Sequence, residues 1–301
     1  MQEPESTGAE ILWLGQSACG EVDLVGGKVA NLSRLAAEYR VPPGFCLTTR
    51  AYTRWAAGLK ETDPLPADCG AQLQAAYEEL ARRCGADGPS VAVRSSAVDE
   101  DGRAASFAGQ YETYLNLVGN EQVAGAVRDC WASMRSERVL EYRRRYGLSV
   151  DHSQLAVLVQ QLVTADVSAV MFSADPVSGD REVVVVNASW GLGESIVGGT
   201  VSPDAYQVRK ADLQVVERRI AEKERMTVPV PGGTKEVEVP RFLRCQPTLD
   251  EAQLAQLARL GLALEEKWNW PVDVECAFKG GELYLLQCRP ITTLIQPEQT
   301  L

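Results

Sequence analysis

The stretch Val272–Thr292, VDVECAFKGGELYLLQCRPIT, decides how the rest of the chain is read. Val272, Val274, Cys276 and Phe278 alternate with Asp273, Glu275 and Ala277, and Leu283 to Arg289 alternates again after Lys279-Gly280-Gly281-Glu282. That period of two on either side of a glycine turn predicts a β-hairpin. Register is the open question. A two-residue Gly-Gly turn sets Glu275 opposite Leu286 and Asp273 opposite Cys288, which mixes polar with apolar on both faces. A three-residue loop, Gly280 to Glu282, instead pairs Val274 with Cys288, Cys276 with Leu286 and Phe278 with Tyr284 on one face. It leaves Asp273 against Arg289 and Glu275 against Gln287 on the other. The three-residue loop is therefore the expected one.

The chain around this hairpin has room for two lobes. Its 301 residues are 45% hydrophobic, enough for a substantial core, and the formal charge of -11 argues against a nucleic-acid or anionic-membrane surface. The eight cysteines contain no C-x-x-C pair, so reduced core thiols are expected rather than a zinc or disulfide framework. The opening MQEPESTGAE is acidic and polar, and no apolar run is long enough for a transmembrane helix. A cytoplasmic location, without membrane or nucleic-acid partners, is the expectation.

Upstream, Ile11–Leu14 predicts a strand, and Gly26-Gly27-Lys28 leads into a helix with Val29, Leu32 and Leu35 on one face. Phe45–Thr48 reads as a strand, Arg50–Ala57 as a short helix and Ala71–Cys84 as an amphipathic one. Ser90–Arg94 is expected to be a strand ending on its arginine. Asn120 is expected to cap a long helix reaching Tyr146, whose Arg143-Arg144-Arg145 would face solvent. Leu155–Val163 reads as a buried strand at the junction of two halves. Strands are then expected at Ser168–Ser173, Glu182–Ala188, Ala205–Arg209, Gln214–Ile220 and Lys235–Val239. Asp250 should cap a helix over Glu251–Trp268 that feeds the hairpin.

Several of these features suit phosphate. A glycine turn that delivers Lys28 at a helix N-terminus offers free N–H groups and an ammonium together, although Val22 and Val29 break the P-loop pattern. Arg94 beside Ser95 and Ser96 suits bidentate anion binding, with a surface salt bridge as the plain alternative. The small residues of Ala104–Gln110 suit a loop lying over phosphates. Glu275 and Gln287 offer side-chain oxygens to magnesium, with Arg289 beside them to neutralise charge on a phosphoryl group. An exposed sheet face of mixed charge is the alternative reading of the same hairpin.

Seven blocks in order carry a family resemblance. GGKVANL at 26–32, VPPGF at 41–45, VRSSAVDED at 93–101, SFAGQYETYLN at 106–116, SADPVSGD at 173–180, NASWGLGESIVGGTVSPDAY at 187–206 and the hairpin together resemble the ATP-grasp domain of the dikinase group. That group includes phosphoenolpyruvate synthase, pyruvate phosphate dikinase and rifampin phosphotransferase. The resemblance implies an α+β ATP-grasp fold with a nucleotide cleft between an N-terminal lobe, 1–163, and a C-terminal lobe, 164–301. It implies that Lys28, Arg94 and Arg289 contact the ATP phosphates, and that Asp273, Glu275 and Gln287 hold magnesium and polarise the site. Ser106, Ala108, Gly109 and Gln110 fall in the loop over the phosphates, and Gln160, Gln161, Leu162 and Val163 in the segment that receives adenine through backbone groups.

Full-length relatives add a swivelling domain with a phosphoryl-accepting histidine and a substrate-binding domain. The one histidine here, His152, lies outside every matched block. The implied function is an ATP- and Mg-dependent phosphotransferase that donates to a histidine on a separate carrier protein or domain. Direct phosphorylation of a small acceptor, a regulatory ATP-binding module, and an excised domain of a larger enzyme are the alternatives.

Overall fold

The computed structural model describes residues 9–56, 59, 62–98, 112–145 and 154–294. The chain divides into two compact units: residues 1–162 with 231–233, and residues 163–230 with 234–301.

Unit 1 is built on a five-stranded antiparallel sheet. Its strands are β1 (Ile11–Trp13), β2 (Gly44–Leu47), β3 (Val91–Ala97), β4 (Thr113–Leu117) and β5 (Leu155–Gln161), in the order β1-β2-β5-β3-β4. The helices are α1 (Val22–Leu35), the single turn α2 (Thr49–Ala51), α3 (Ala67–Cys84), α4 (Asn120–Ser133) and α5 (Glu137–Arg145). One sheet face carries Phe45, Leu47, Val91, Val93, Leu155, Val157 and Val159 into a core with Leu73, Tyr77 and Leu80 of α3 and Val123, Val127 and Trp131 of α4. The other face, with Arg94 and Ser96 at alternate positions of β3, lies under α1.

Three expectations for this unit change. β3 does not stop at Arg94; it runs on to Ala97, and Arg94 sits mid-strand between Thr113 and Leu158. The helix expected from Asn120 to Tyr146 is broken at Met134–Ser136, and its cap position is Gly119, with the Asn120 Oδ1 buried and unbonded. Arg143 turns inward and is 2% exposed, whereas Arg144 and Arg145 remain exposed. Composition flagged three adjacent cations, but a helix rotates each by about 100° from the last, so one of them meets the core.

Unit 2 is a six-stranded antiparallel sheet in the order β13-β12-β6-β7-β8-β9. These strands are β6 (Val167–Phe172), β7 (Val183–Trp190), β8 (Asp204–Arg209), β9 (Val215–Arg219), β12 (Val272–Lys279) and β13 (Glu282–Pro290). A separate hairpin is formed by β10 (Arg225–Val230) and β11 (Gly233–Glu238), and the helices are α6 (Glu194–Val197) and α7 (Glu251–Trp268). The cap of α7 is as expected: Asp250 Oδ1 accepts from Gln253 N at 2.8 Å, and Gln253 Oε1 accepts from Asp250 N at 3.0 Å. Leu254, Leu257, Ala258 and Leu264 of α7 are buried, and Gly261 packs so closely on Met171 that a methyl group there would lie 2.8 Å from the sulfur. One sheet face is thereby covered: Val274, Cys276, Met171, Ala169, Val186, Ala188, Tyr206 and Val208 are all buried. On the opposite face Glu275, Val170, Phe172, Val185, Asn187, Ala205 and Gln207 are half-buried.

A buried ion pair ties three parts of this unit together. Asp204 and Lys223 are both fully buried, with Lys223 Nζ donating to Asp204 Oδ1 at 2.6 Å. The remaining lone pairs of the carboxylate accept from Ala221 N, from Thr248 N and Oγ1, and from the Tyr206 hydroxyl. Removing one partner strands the other in a dry interior, which is the costly way to break such a pair. Lys223→Met should destabilise unit 2 by about 3–5 kcal/mol in chemical denaturation, and Asp204→Leu with Lys223→Met should recover part of that loss. A double variant as unstable as the single would contradict this.

All eight cysteines are free, and Cys245 is exposed while Cys19, Cys46, Cys69, Cys130, Cys276 and Cys288 are buried. Burial pushes the Cys19 thiol up to about 11 and the Cys69 thiol up to about 12, and raises Cys46, Cys130 and Cys276 as well. The thiolate is the reactive form, so alkylation of the native protein at pH 8 should label Cys245 first. Mass spectrometry showing Cys276 or Cys130 labelled as fast would contradict the packing.

Candidate functional site

The hairpin β12–β13 solves its register problem in a way the sequence pattern did not anticipate. Lys279 pairs with Glu282, so the turn is the two-residue Gly280-Gly281, not the three-residue loop. Both glycines have positive φ, 57° and 82°, as a tight hairpin turn with matching twist requires. A β-bulge between Glu275 and Cys276 then places Leu286 as an extra residue on β13. Cys276 pairs with Leu285, Ala277 with Tyr284 and Phe278 with Leu283, replacing the expected Cys276–Leu286 and Phe278–Tyr284 pairs. Beyond the bulge Val274 lies opposite Cys288, Asp273 opposite Arg289 and Glu275 opposite Gln287. The polar pairs are those expected, but the bulge produces them and not the loop.

The four polar side chains do not behave alike. Arg289 Nε and Nη2 both lie 2.8 Å from Asp273 Oδ2, with the two side chains only 28% and 11% exposed. Asp273 is thus committed to holding the guanidinium. Glu275 and Gln287 have no hydrogen-bond or ion-pair partner among the described residues, although Gln287 is 9% exposed and Glu275 half-buried. Two facing oxygen donors with nothing to bind are what a hard cation would use. No group of three or more His, Cys, Asp or Glu that could hold a metal occurs among the described residues. Two side-chain oxygens are the number that a hydrated, oxygen-seeking cation such as magnesium takes from a protein when water and phosphate complete its shell.

In unit 1 the glycine turn has an unusual anchor. Gly26 has φ 74° and ψ 164°, a region open essentially to glycine, and it breaks α1 just before Gly27-Lys28. A methyl group on Gly26 would lie 2.3 Å from Ser96 Oγ and 2.5 Å from Ser96 O. Val29 N donates to the same hydroxyl at 3.4 Å, so β3 supplies the cap that glycine lacks. Lys28 and Arg94 are thereby carried on two elements locked together at Ser96. Ser96 was noted in the sequence only as a neighbour of Arg94, because nothing in a linear pattern shows a strand hydroxyl capping a helix 67 residues away.

Gln160 is 2% exposed and its side chain donates to Pro42 O at 3.0 Å, so that amide is structural. The N–H groups of Gln161 and Leu162 donate to Pro43 O and Ser90 O, and Val163 O accepts from Ala165 N. Backbone recognition at Gln161 and Leu162 would accordingly fall to their carbonyls. Ser106, Ala108, Gly109, Gln110 and His152 lie outside the described residues.

Residues 57–300 match the pyruvate phosphate dikinase, AMP/ATP-binding domain. The chain belongs to that family. It is 39% identical to a probable phosphoenolpyruvate synthase of Methanocaldococcus jannaschii over 94% of this chain and 27% of that protein. It is 35% identical to the phosphoenolpyruvate synthase of Pyrococcus furiosus, over 94% of this chain and 44% of that protein. A rifampicin phosphotransferase of Streptomyces sviceus is also 39% identical, over 91% of this chain and 35% of that protein. The chain thus spans less than half the length of each of these relatives. The expected α+β class holds, with helices and antiparallel sheets in the chain, and no described helix is long and apolar enough to cross a membrane.

The Gly26 contact gives a direct test of the anchor. Gly26→Ala should lower stability by at least about 2 kcal/mol in denaturant unfolding, from the glycine-only backbone alone. A neutral effect would mean that the turn and Ser96 are not locked.

Proposed function

We propose that this chain binds Mg·ATP and donates a phosphoryl group from it to a histidine on a separate carrier protein or domain, which passes it to a small molecule. The observation that carries the reading is the pair Glu275 and Gln287, facing one another on a half-open sheet face with unspent oxygens beside an ion-paired Arg289. Family membership supports ATP as the bound nucleotide.

In this reading Glu275 and Gln287 hold the metal, while Lys28, Arg94 and Arg289 contact the phosphates. Magnesium, when bound, neutralises phosphate charge and fixes the oxygens for displacement. The protein groups do the positioning. Asp273 fixes the orientation of the Arg289 guanidinium, so it meets the transferred group without reorganising. Ser96 fixes the break at Gly26 in the helix that carries Lys28. In the same reading the segment 106–110, SFAGQ, is the candidate to serve the phosphates, and Gln160–Val163 the candidate to receive the base.

The test uses the full chain, β- and γ-labelled ATP, and the histidine-bearing domain of a full-length relative as acceptor. Acid-labile label on that histidine is expected, and Glu275→Ala or Gln287→Ala should cut the rate at least about a hundred-fold. Tight Mg·ATP binding with no transfer to the histidine would overturn the donor role and leave a binding module.

A further inference from the structure

The half-open face of the unit 2 sheet holds a polar side chain that this scheme leaves without a role. Asn187 on β7 lies opposite Val170 of β6, and Val170 lies opposite Glu275 of β12. With Gln287 on the far side of Glu275 and Ala205 beyond Asn187, the order across the sheet is Gln287, Glu275, Val170, Asn187, Ala205. Adjacent strands are spaced about 4.8 Å apart, so Asn187 and Glu275 stand about 10 Å apart at the backbone. Burial along β7 fixes the direction of the side chain. Val184, Val186 and Ala188 are buried under α7, while Val185 and Asn187 are half-buried on the face that Glu275 shares.

The amide of Asn187 has no hydrogen-bond partner among the described residues, and the residue between it and Glu275 is the short, apolar Val170. Magnesium keeps most of its coordination sphere for water and phosphate, and those ligands need partners of their own on the side away from the two protein oxygens. An asparagine amide can meet both, accepting from a metal-bound water through Oδ1 and donating to a phosphate oxygen through Nδ2. Resting on the Mg·ATP reading of Glu275 and Gln287, we infer that Asn187 is a third binding residue for the hydrated magnesium–phosphate group. It acts through water and phosphate and not as a direct metal ligand. Gln207, on β8 opposite Val185, lies one row away on the same face and serves as the control.

The experiment is titration calorimetry of the full chain with a non-hydrolysable ATP analogue, in magnesium and again in EDTA, with thermal unfolding alongside. Asn187→Ala should weaken the magnesium-dependent affinity about ten-fold, leave the EDTA affinity within about two-fold and leave the melting temperature unchanged; Gln207→Ala should change neither affinity. If Asn187→Ala fails to fold, Asn187→Thr, a good strand former, is read in the same way. Wild-type affinity in the variant, or equal weakening with and without magnesium, overturns the role of Asn187 while the Glu275 and Gln287 reading stands. A wild-type protein whose nucleotide affinity ignores magnesium removes both.

Discussion

A strand shows alternate side chains to opposite faces, and one residue too many or too few inverts everything beyond it. The hairpin β12–β13 has to meet two demands under that constraint. Its glycine pair favours a tight two-residue turn, while its apolar set and its polar set each need to stay together. A regular ladder from that turn would place Glu275 opposite Leu286. The single bulge at Leu286 absorbs the conflict, so Cys276, Leu285 and Cys288 stay buried while Glu275, Gln287, Asp273 and Arg289 share a face. The candidate site depends on this parity correction more than on any individual contact.

The same alternation organises unit 1. Val91, Val93 and Ala97 of β3 enter the core against α3 and α4, and the residues between them, Arg94 and Ser96, face α1. Because Ser96 touches Gly26 and caps Val29, the strand bearing Arg94 and the helix bearing Lys28 are not independent pieces. In both units, then, a cation is presented by an element whose position another side chain enforces: Ser96 for the break in α1 at Gly26, Asp273 for Arg289. Charged groups that hold their geometry before a ligand arrives lose little on binding it.

Much of this was legible in the residues. Alternating patterns located β6, β7, β8, β9 and both hairpin strands, and Asp250 with Gln253 announced α7 and its cap. The polar pairs of the hairpin were legible too, although for the wrong reason, since side-chain pattern constrains parity and does not say whether a longer loop or a bulge supplies it. The split between α4 and α5 was hidden because Met134, Arg135 and Ser136 carry no proline or glycine to mark a break. The inward turn of Arg143 was hidden for a related reason: composition reports three cations but not which way each points. What the sequence could not show at all were contacts across long separations, such as Ser96 on Val29, and the difference in employment between Asp273, already bonded, and Glu275, not bonded.

The carboxylate of Asp204 gathers donors from β8, from the segment before β10 and from the residues just ahead of α7, stretches up to 44 residues apart. Each donor arrives from a different excursion of the chain, and the charge is tolerable inside only when all have arrived. The segments on either side of the β10–β11 hairpin are therefore both tied to β8 through one buried carboxylate. A proteolytic nick that frees Lys223 or Thr248 would be felt at β8 as a buried charge without its counterpart. The network works as a completeness check on the unit, alongside a sheet whose β6 and β12 are themselves paired across a long stretch of chain.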